Sequence, residues 1–386
     1  MSESTHSILR SLPKADLHCH LDGSLRLDTI LDLAQIQGVT LPCKNEAELR
    51  AALHMGNNCE SLENYLKAFE LTLSVLQTEE ALYRAAYELA EDAAKENVWY
   101  MEVRYAPLLH TRKGLPLPAI LQAVLEGMID AQRDFGIQSR VIVCGIRNMD
   151  PMASFRMAEL AIAFKHQGVV AFDLAGAESD NPAKDHVRAF QLILNNNVNC
   201  TLHAGEAYGP ESIHQAIHYC GAHRIGHGVR LAEDGDLLNY VNDHRIALEV
   251  CPTSNVQTGA VKSLEAHPLR FYYDYGLRVT VNTDNRLITD TTVTQELMRA
   301  HEHMGFSLEE LIQVIIFGFK ASFLPLHEKR QLLLDVNQEI EGITSQPILP
   351  EEVDRGEVSI PSLRKRSRNR TQRPSKRPTK TPETDE

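Results

Sequence analysis

The feature of this sequence that most constrains its fold is an alternation of short, β-branched or apolar runs with longer segments of helical periodicity. Eight such runs occur, each with the length and composition of a buried parallel strand. Helical segments, for example 80–95 and 117–135, separate most of them. The pattern predicts an α/β fold, a (β/α)8 TIM barrel with extra helices. The predicted strands are 15–18, 98–105, 140–146, 169–174, 199–203, 224–227, 246–250 and 277–282.

The C-terminal segment differs in composition from the rest of the chain. Residues 361–386 carry nine Lys/Arg against three Asp/Glu, so this segment holds +6 of a total formal charge of −13 and the remainder holds −19. It is rich in Ser, Thr and Pro and nearly free of apolar side chains, which predicts a disordered basic tail. An acidic body does not attract polyanions, so we predict no specific nucleic-acid partner and leave the tail's partner open.

The sequence contains no membrane or export signal that we recognise. Its longest apolar run, 311–319, is far shorter than the roughly 20 residues of a transmembrane helix. Residues 1–17 lack the apolar core of a secretory signal. The seven cysteines are scattered and never form a CxxC pair, which favours a reducing, cytoplasmic location.

Histidine and aspartate side chains recur where the predicted strands end. His18 and His20 close the first strand, and residues two apart on a strand face the same side. His203 ends the fifth strand, His227 the sixth, and Asp284 follows the eighth. In a TIM barrel the carboxyl ends of all strands meet at one rim, where the active site lies. Although an HxH pair alone is weak evidence, this collection predicts a metal site.

Imidazole and carboxylate ligands without thiolate favour zinc, although iron, cobalt or manganese would also suit such a set. Asp284 either ligates the metal as part of a five-coordinate site or binds the metal's water. The fourth predicted strand contains no lysine that could bridge two metals, so we predict one ion per chain.

Glu206 follows His203 by three residues, and Gly205 between them lets the chain turn as it leaves the strand. The turn would bring the carboxyl group into the barrel mouth beside the metal. A carboxylic acid there can protonate a ring nitrogen while activated water attacks the adjacent carbon, which is the chemistry of deamination. The alternative is a carboxylate that merely begins a helix.

Six ordered motifs together resemble the adenosine deaminase family, over roughly residues 8–345. The first is Leu-Pro-Lys-Ala-Asp-Leu-His-Cys-His-Leu-Asp-Gly-Ser-Leu-Arg at 12–26. The others are Asp-Leu-Ala-Gly at 173–176, His-Ala-Gly-Glu at 203–206, Arg-Ile-Gly-His-Gly at 224–228, Cys-Pro-Thr-Ser-Asn at 251–255 and Asn-Thr-Asp at 282–284. The resemblance implies a folded region spanning 8–345 and a zinc-dependent hydrolase of purine nucleoside salvage.

The resemblance also implies a role for each residue of the motifs. His18, His20, His203 and Asp284 would bind zinc, and His20 would also lie against the substrate. His227 would orient and deprotonate the attacking water, with Asp284 beside it, and Glu206 would protonate purine N1. Gly176 would offer its backbone N–H to purine N3. The implied reaction converts adenosine and 2'-deoxyadenosine to inosine and 2'-deoxyinosine with release of ammonia.

Three further features bear on the substrate. Asp22 matches the residue that contacts the ribose 5'-hydroxyl in nucleoside deaminases of this family, and its charge would repel a 5'-phosphate. Asn285 stands where many members have an Asp that binds purine N7, and an amide can donate that bond at any pH. Four side chains at helical spacing (i, i+3, i+4 and i+7) resemble the short helix that forms the family's apolar lid: Leu62, Tyr65, Leu66 and Phe69. The alternative is that they simply pack in the core.

Two other functions stay open at this point. One is deamination of a modified adenosine, either 5'-modified or resembling aminodeoxyfutalosine, because Asp22 would tolerate both. The other is a catalytically silent nucleoside-binding protein, against which the complete ligand set and Glu206 argue. Cytidine-type zinc deaminases are excluded, since the sequence has no Pro-Cys-x-x-Cys motif. The sequence does not indicate an oligomeric state.

Overall fold

Eight parallel strands form one sheet in which each strand pairs with its neighbour along the chain, in the order β1 to β8. The computed structural model describes residues 2–43, 45–53 and 62–344. The predicted (β/α)8 barrel is confirmed, and all eight predicted strands are present. The strands are β1 Lys14–His20, β2 Val98–Tyr105, β3 Gln138–Ile146, β4 Val169–Ala175, β5 Asn199–Ala204, β6 Arg224–His227, β7 Ala247–Val250 and β8 Val279–Val281.

The last strand is shorter at both ends than the predicted 277–282. Just after it, the Asn282 side chain bonds to β1. Its Oδ1 accepts from the Leu17 amide on β1 at 2.9 Å. Beyond it, the Asp284 amide donates to His18 O at 2.8 Å and the His20 amide donates to Asp284 O at 2.7 Å. These bonds join the end of β8 to β1 and hold His18, His20 and Asp284 together.

Helices surround the barrel, and several lie in the long connection between β1 and β2. The predicted helices 80–95 and 117–135 correspond to α6 and α7. The helices are α1 Ser2–Ser11, α2 Leu27–Gln37, α3 Glu46–Leu53, α4 Leu62–Leu66, α5 Phe69–Val75, α6 Glu79–Lys95, α7 Leu117–Phe135, α8 Pro151–Phe164, α9 Val187–Asn195, α10 Pro210–His218, α11 Gly235–Asp243, α12 Pro252–Gln257, α13 Leu269–Tyr275, α14 Val293–Met304, α15 Leu308–Ala321 and α16 Leu326–Thr344.

Two of the longest helices, α6 and α7, pack closely against each other. Thr78 caps the start of α6 by accepting from the Ala81 amide, and buried Ala and Leu side chains form one face of the helix. Gly127 of α7 lies against α6, where a Cβ atom would come within 2.4 Å of Tyr83 O. The close approach of these two helices therefore requires glycine at 127.

The barrel interior contains a network of buried charges below the catalytic rim. Arg224 donates from Nε to Glu249 at 2.6 Å, pairs with Glu102 through Nη2, and lies over the Phe323 ring at 3.6 Å. Arg104 is also fully buried. Buried ions are stable only when paired, so this network fixes the relative positions of β2, β6 and β7.

The predicted folded region, 8–345, and the predicted tail, 361–386, can be compared with the described residues at the two ends of the chain. Helix α1 begins at Ser2, six residues before the predicted start of the folded region at 8. The predicted tail, 361–386, lies outside the described residues, so the division of the chain there stays a prediction. Among the described helices, none is sufficiently long and apolar to span a bilayer.

Candidate active site

Four side chains converge at the carboxyl end of the barrel. His18 and His20 come from β1, His203 from β5, and Asp284 from the turn after β8, and their ligand atoms lie within 4.8 Å of one another. The His203 Nε2 atom is 3.1 Å from Nε2 of His18 and 3.1 Å from Nε2 of His20. Asp284 Oδ1 is 3.4 Å from both of the latter atoms. The structure thus brings all four predicted ligands together.

Carboxylates behind the cluster determine which nitrogen of two histidines carries a proton. Glu249 Oε2 lies 3.0 Å from His18 Nδ1, and Asp173 Oδ2 lies 3.0 Å from His203 Nδ1. A carboxylate accepts hydrogen bonds, so both rings donate from Nδ1 and present the lone pair of Nε2 to the cluster. Arg104 bridges the two carboxylates, at 3.1 Å from Asp173 and 2.7 Å from Glu249.

The donor set fits a metal ion. Unprotonated nitrogens 3.1 Å apart repel each other unless a cation lies between them. A tetrahedral zinc site with bonds of about 2.0–2.1 Å has ligand atoms about 3.3 Å apart, close to the spacing in this cluster. Nitrogen and oxygen donors without thiolate also suit zinc.

Glu206 enters the same cavity from the turn after β5. Gly205 has a φ of +70°, a conformation that favours glycine and turns the chain as the sequence predicts. The carboxyl group is 5% exposed and accepts from the Thr258 hydroxyl at 3.0 Å. Burial raises the pKa of Glu206 well above its ordinary range, and the charge of Asp284 raises it further. Both effects favour the protonated form of the Glu206 carboxyl group.

The turn that carries Glu206 is fixed by Glu178, a residue that no sequence pattern indicated. The Glu178 carboxylate accepts from the backbone amides of Gly205, Glu206, Ala207 and Tyr208, at 2.7, 3.0, 2.6 and 3.0 Å. Four consecutive amides directed at one carboxylate form an anion-binding nest. Glu178 follows β4, so only the folded chain brings it under this turn.

His227 and Asp284 occupy left-handed backbone conformations at the ends of their strands. Their φ angles are 63° and 61°, a region that non-glycine residues rarely adopt. Such strain persists where the surrounding structure imposes it and is typical of active sites. The Ser254 hydroxyl donates to Asp284 Oδ2 at 2.5 Å, and His227 Nε2 lies 3.5 Å from Glu206 Oε2. Both side chains thereby face the cavity.

Asp22 and Asn285 lie in the same cavity, each with a polar atom that has no protein partner. The Oδ1 atoms of both side chains are buried and unpaired. Burial raises the pKa of Asp22 to about 7. The Asn285 amide donates to the Tyr65 hydroxyl at 2.9 Å, and Gly23 leaves room for Asn285, because a Cβ there would lie 2.0 Å from Asn285 Oδ1. These unpaired atoms are available to a ligand.

The predicted lid residues all line the cavity, which has a volume of about 250 Å³. They do not form one helix: α4 ends at Leu66 and α5 begins at Phe69. Between them the backbone bonds shift to three-residue spacing, for example from the Ala68 amide to Tyr65 O at 3.2 Å, which interrupts the α-helix. The Phe69 ring meets the His20 ring edge to face at 6.4 Å.

The cavity lining also includes Gly176 and a set of side chains that were not predicted from the sequence. Gly176 follows β4 with a φ of +95°, and a Cβ there would lie 2.9 Å from Asn148 Oδ1. Among the described lining residues none is Lys or Arg. The missed lining residues are Glu70, Leu73, Tyr105, Ala106, Leu109, Cys144, Ile146, Asn148, Met149 and Ala175.

Comparison with known sequences gives one family. The adenosine deaminase family profile matches residues 13–339. Adenosine deaminase of a Mycobacterium species, strain JLS, is 45% identical over 84% of this chain and 94% of its own length. A Dictyostelium discoideum protein named "Probable adenosine deaminase" is 44% identical over 83% of this chain, which spans 42% of that longer protein.

Solved structures with the same fold include three proteins with different names. Adenine deaminase from Arthrobacter aurescens is 28% identical, with a TM-score of 0.80 over 86% of this chain and 99% of that one. A zinc-bound amidohydrolase from Burkholderia ambifaria is 26% identical, with a TM-score of 0.82 over 88% and 93%. An N6-mAMP deaminase from Arabidopsis is 27% identical, with a TM-score of 0.77 over 86% and 99%.

Proposed function

The chain belongs to the adenosine deaminase family, and on that premise we propose that it hydrolyses adenosine and 2'-deoxyadenosine to inosine and 2'-deoxyinosine with release of ammonia. Membership of the family makes the chain a hydrolytic deaminase; the substrate and the residue roles are the proposal. The observation that carries it is the buried Glu206 carboxyl group, in one cavity with His20, His203, His227 and Asp284.

His18, His20, His203 and Asp284 would hold one zinc ion. A zinc ion in such a site lowers the pKa of a water molecule to about 7 and makes it a nucleophile at neutral pH. The short distances between unprotonated nitrogens support this assignment, as does the zinc in the Burkholderia amidohydrolase. Glu249 and Asp173 keep His18 and His203 in the tautomer that presents Nε2.

The remaining side chains carry the proton transfers. Glu206 gives its proton to purine N1, which makes C6 more electrophilic. The water oxygen forms a bond to C6, with His227 orienting the water, and the C6–N6 bond then breaks. Of the two water protons, one leaves with ammonia and the other restores Glu206. Gly176 would offer its backbone N–H to purine N3. Asn285 would donate to purine N7 from its NH2 group, which has a second proton besides the one that it gives to Tyr65.

Several features favour a neutral nucleoside over a nucleotide. Asp22 has a buried, unpaired carboxylate oxygen suited to a ribose hydroxyl. A 5'-phosphate needs cationic partners, and the described cavity wall contains no Lys or Arg. Leu62, Leu66 and Phe69 give the site an apolar cover. In this respect we expect the chain to differ from the Arabidopsis N6-mAMP deaminase.

A substrate panel tests this proposal. The zinc-loaded full chain is offered adenosine, 2'-deoxyadenosine, a 5'-modified adenosine, AMP and adenine, and kcat/KM is measured for each. We expect adenosine and 2'-deoxyadenosine to exceed AMP and adenine by roughly 100-fold or more, since a mismatched buried polar group costs that much. Preference for AMP, adenine or the 5'-modified nucleoside would refute the substrate assignment. Binding of adenosine without turnover would indicate a silent binding protein.

A further inference from the structure

A chain of buried hydrogen bonds runs from the start of α13 to the candidate catalytic histidine. The Leu269 backbone amide donates to His267 Nδ1 at 3.0 Å, and His267 Nε2 lies 3.3 Å from Asn255 Oδ1. Asn255 Nδ2 lies 3.0 Å from His227 Nδ1. His267, Asn255 and His227 are 5%, 0% and 1% exposed, so water does not offer alternative partners.

The direction of every bond in this chain follows from its first donor. A backbone N–H can only donate, so His267 Nδ1 accepts and the ring proton is on Nε2. Burial lowers the pKa of His267 to about 3, in agreement with a neutral ring. His267 Nε2–H then donates to Asn255 Oδ1. The flipped orientation of the Asn255 amide is excluded, because it would place the Asn255 NH2 group, a donor, against the His267 Nε2–H donor.

With Asn255 oriented in this way, its NH2 group donates to His227 Nδ1. That nitrogen therefore carries no proton, and the proton of the neutral His227 ring is on Nε2, the nitrogen that faces the cavity and Glu206. A ring nitrogen that already carries a proton has no lone pair with which to accept another.

We propose that His267 and Asn255 are positioning residues that hold His227 as the Nε2–H tautomer, so that His227 donates a hydrogen bond to the attacking oxygen. The catalytic role in this inference rests on the proposed function, whereas the tautomer of His227 can be measured without it. It changes the role that the family resemblance implied, deprotonation of the water by His227. Once Glu206 has given its proton to purine N1, its carboxylate takes one water proton instead, and the other water proton leaves on the departing amine nitrogen.

The tautomer can be read directly in the zinc-loaded full chain. In ¹⁵N NMR of histidine-labelled protein, protonated and unprotonated ring nitrogens have different shifts, and the His227 signals are assigned by their loss in His227→Gln. We expect His227 to be protonated on Nε2 and not on Nδ1. A proton on His227 Nδ1 would overturn the proposal. Because this readout needs no turnover, it still decides the proposal if the protein fails to deaminate adenosine.

The second test measures the kinetics of variants of the relay, the hydrogen-bonded chain of His267, Asn255 and His227. Asn255→Asp keeps the side-chain shape but offers an acceptor to His227 Nδ1, which draws the ring proton to that nitrogen. A catalytic histidine held in the wrong tautomer lowers kcat by up to about 10⁴-fold. We expect a loss of about 10²- to 10⁴-fold in kcat, with KM for adenosine little changed. Wild-type kcat in Asn255→Asp would contradict the assignment.

His267 variants separate positioning from general damage to the core. His267→Gln keeps an N–H donor near Asn255 and should retain most of kcat, whereas His267→Leu should lose it. His186→Leu is the matched control, since His186 is also buried and makes two hydrogen bonds, to Ser154 and Arg147 O. Equal losses of kcat in His267→Leu and His186→Leu would count against the relay.

Discussion

The backbone amide of Glu206 donates to the carboxylate of Glu178 at 3.0 Å, as one of four consecutive amides that the same carboxylate binds. This contact joins the loop after β4 to the turn after β5. It also places a negative charge near Glu206, which contributes to the raised pKa of the Glu206 carboxyl group. Glu178 thus fixes the position of the proposed acid and adds to the raising of its pKa, of which burial is the largest cause.

Replacing Glu178 with Gln should reduce both stability and activity. An NH2 group would then face backbone donors, and we expect the free energy of unfolding in urea to fall by about 2–4 kcal/mol. Displacement of Glu206 should lower kcat roughly 10- to 100-fold. Since the Glu178 charge raises the pKa of Glu206, the alkaline limb of the pH–rate profile should move to lower pH. Glu211→Gln, at an exposed carboxylate nearby, is the control and should change none of these quantities.

Replacing Asp22 with Asn tests the proposed contact with the ribose 5'-hydroxyl. Loss of a buried charged acceptor should lower kcat/KM for adenosine about 10- to 100-fold. The same variant should lower kcat/KM for 5'-deoxyadenosine much less, because that substrate lacks the hydroxyl. Equal losses for both nucleosides would place the Asp22 contact elsewhere on the substrate.

Replacing Asn285 with Asp should make nucleoside binding depend on pH. The amide donates at any pH, whereas a carboxyl group donates to purine N7 only when protonated. Burial raises the pKa of a carboxyl group above the ordinary Asp value of about 4. We therefore expect KM for adenosine to rise as pH passes through this raised pKa in Asn285→Asp, and not in the wild type. Asn148→Asp, which puts a carboxylate elsewhere on the cavity wall, is the control and should follow the wild-type profile.

Acid should destabilise the protein in part through His267. Its folded pKa is lowered to about 3 from 6.5, so between these values the unfolded chain binds more protons and stability falls as pH falls. Relative to His267→Gln, the wild type should lose about 2 kcal/mol of unfolding free energy between pH 7 and pH 5. His327→Gln, at a histidine whose side chain is 83% exposed, should show the same pH dependence as the wild type. If the difference in unfolding free energy between the wild type and His267→Gln were the same at about pH 7 and about pH 5, the neutral His267 ring would be contradicted.

The strand ends could be predicted from the sequence because strand periodicity is local and barrel rims collect active-site residues. That reasoning located His18, His203, His227 and Asp284, and the structure places them within one cavity or cluster. The barrel itself followed from the alternation of strands and helices, although β8 is shorter than predicted and is joined to β1 through the Asn282 side chain.

The supporting residues could not be predicted, because their contacts depend on barrel closure. Glu249 and His18 are 231 positions apart and meet only when β7 and β1 share one barrel. Asp173 and Asn255 lie within recognised motifs, yet neither their sequence nor their spacing indicated which histidine each would contact. The break between α4 and α5 was not predicted either. The spacing of the apolar residues from Leu62 to Phe69 is the same whether they lie on one helix or on two.

The most direct test of the account is the rate of ammonia release from adenosine by wild-type protein and Glu206→Gln, each with its zinc content measured. We predict one zinc per chain in both proteins, ammonia release by the wild type, and a rate about 10²- to 10⁴-fold lower in Glu206→Gln, because the proton donor to N1 is lost while the four ligands remain. No ammonia from the wild type, or an undiminished rate in Glu206→Gln, would contradict the account.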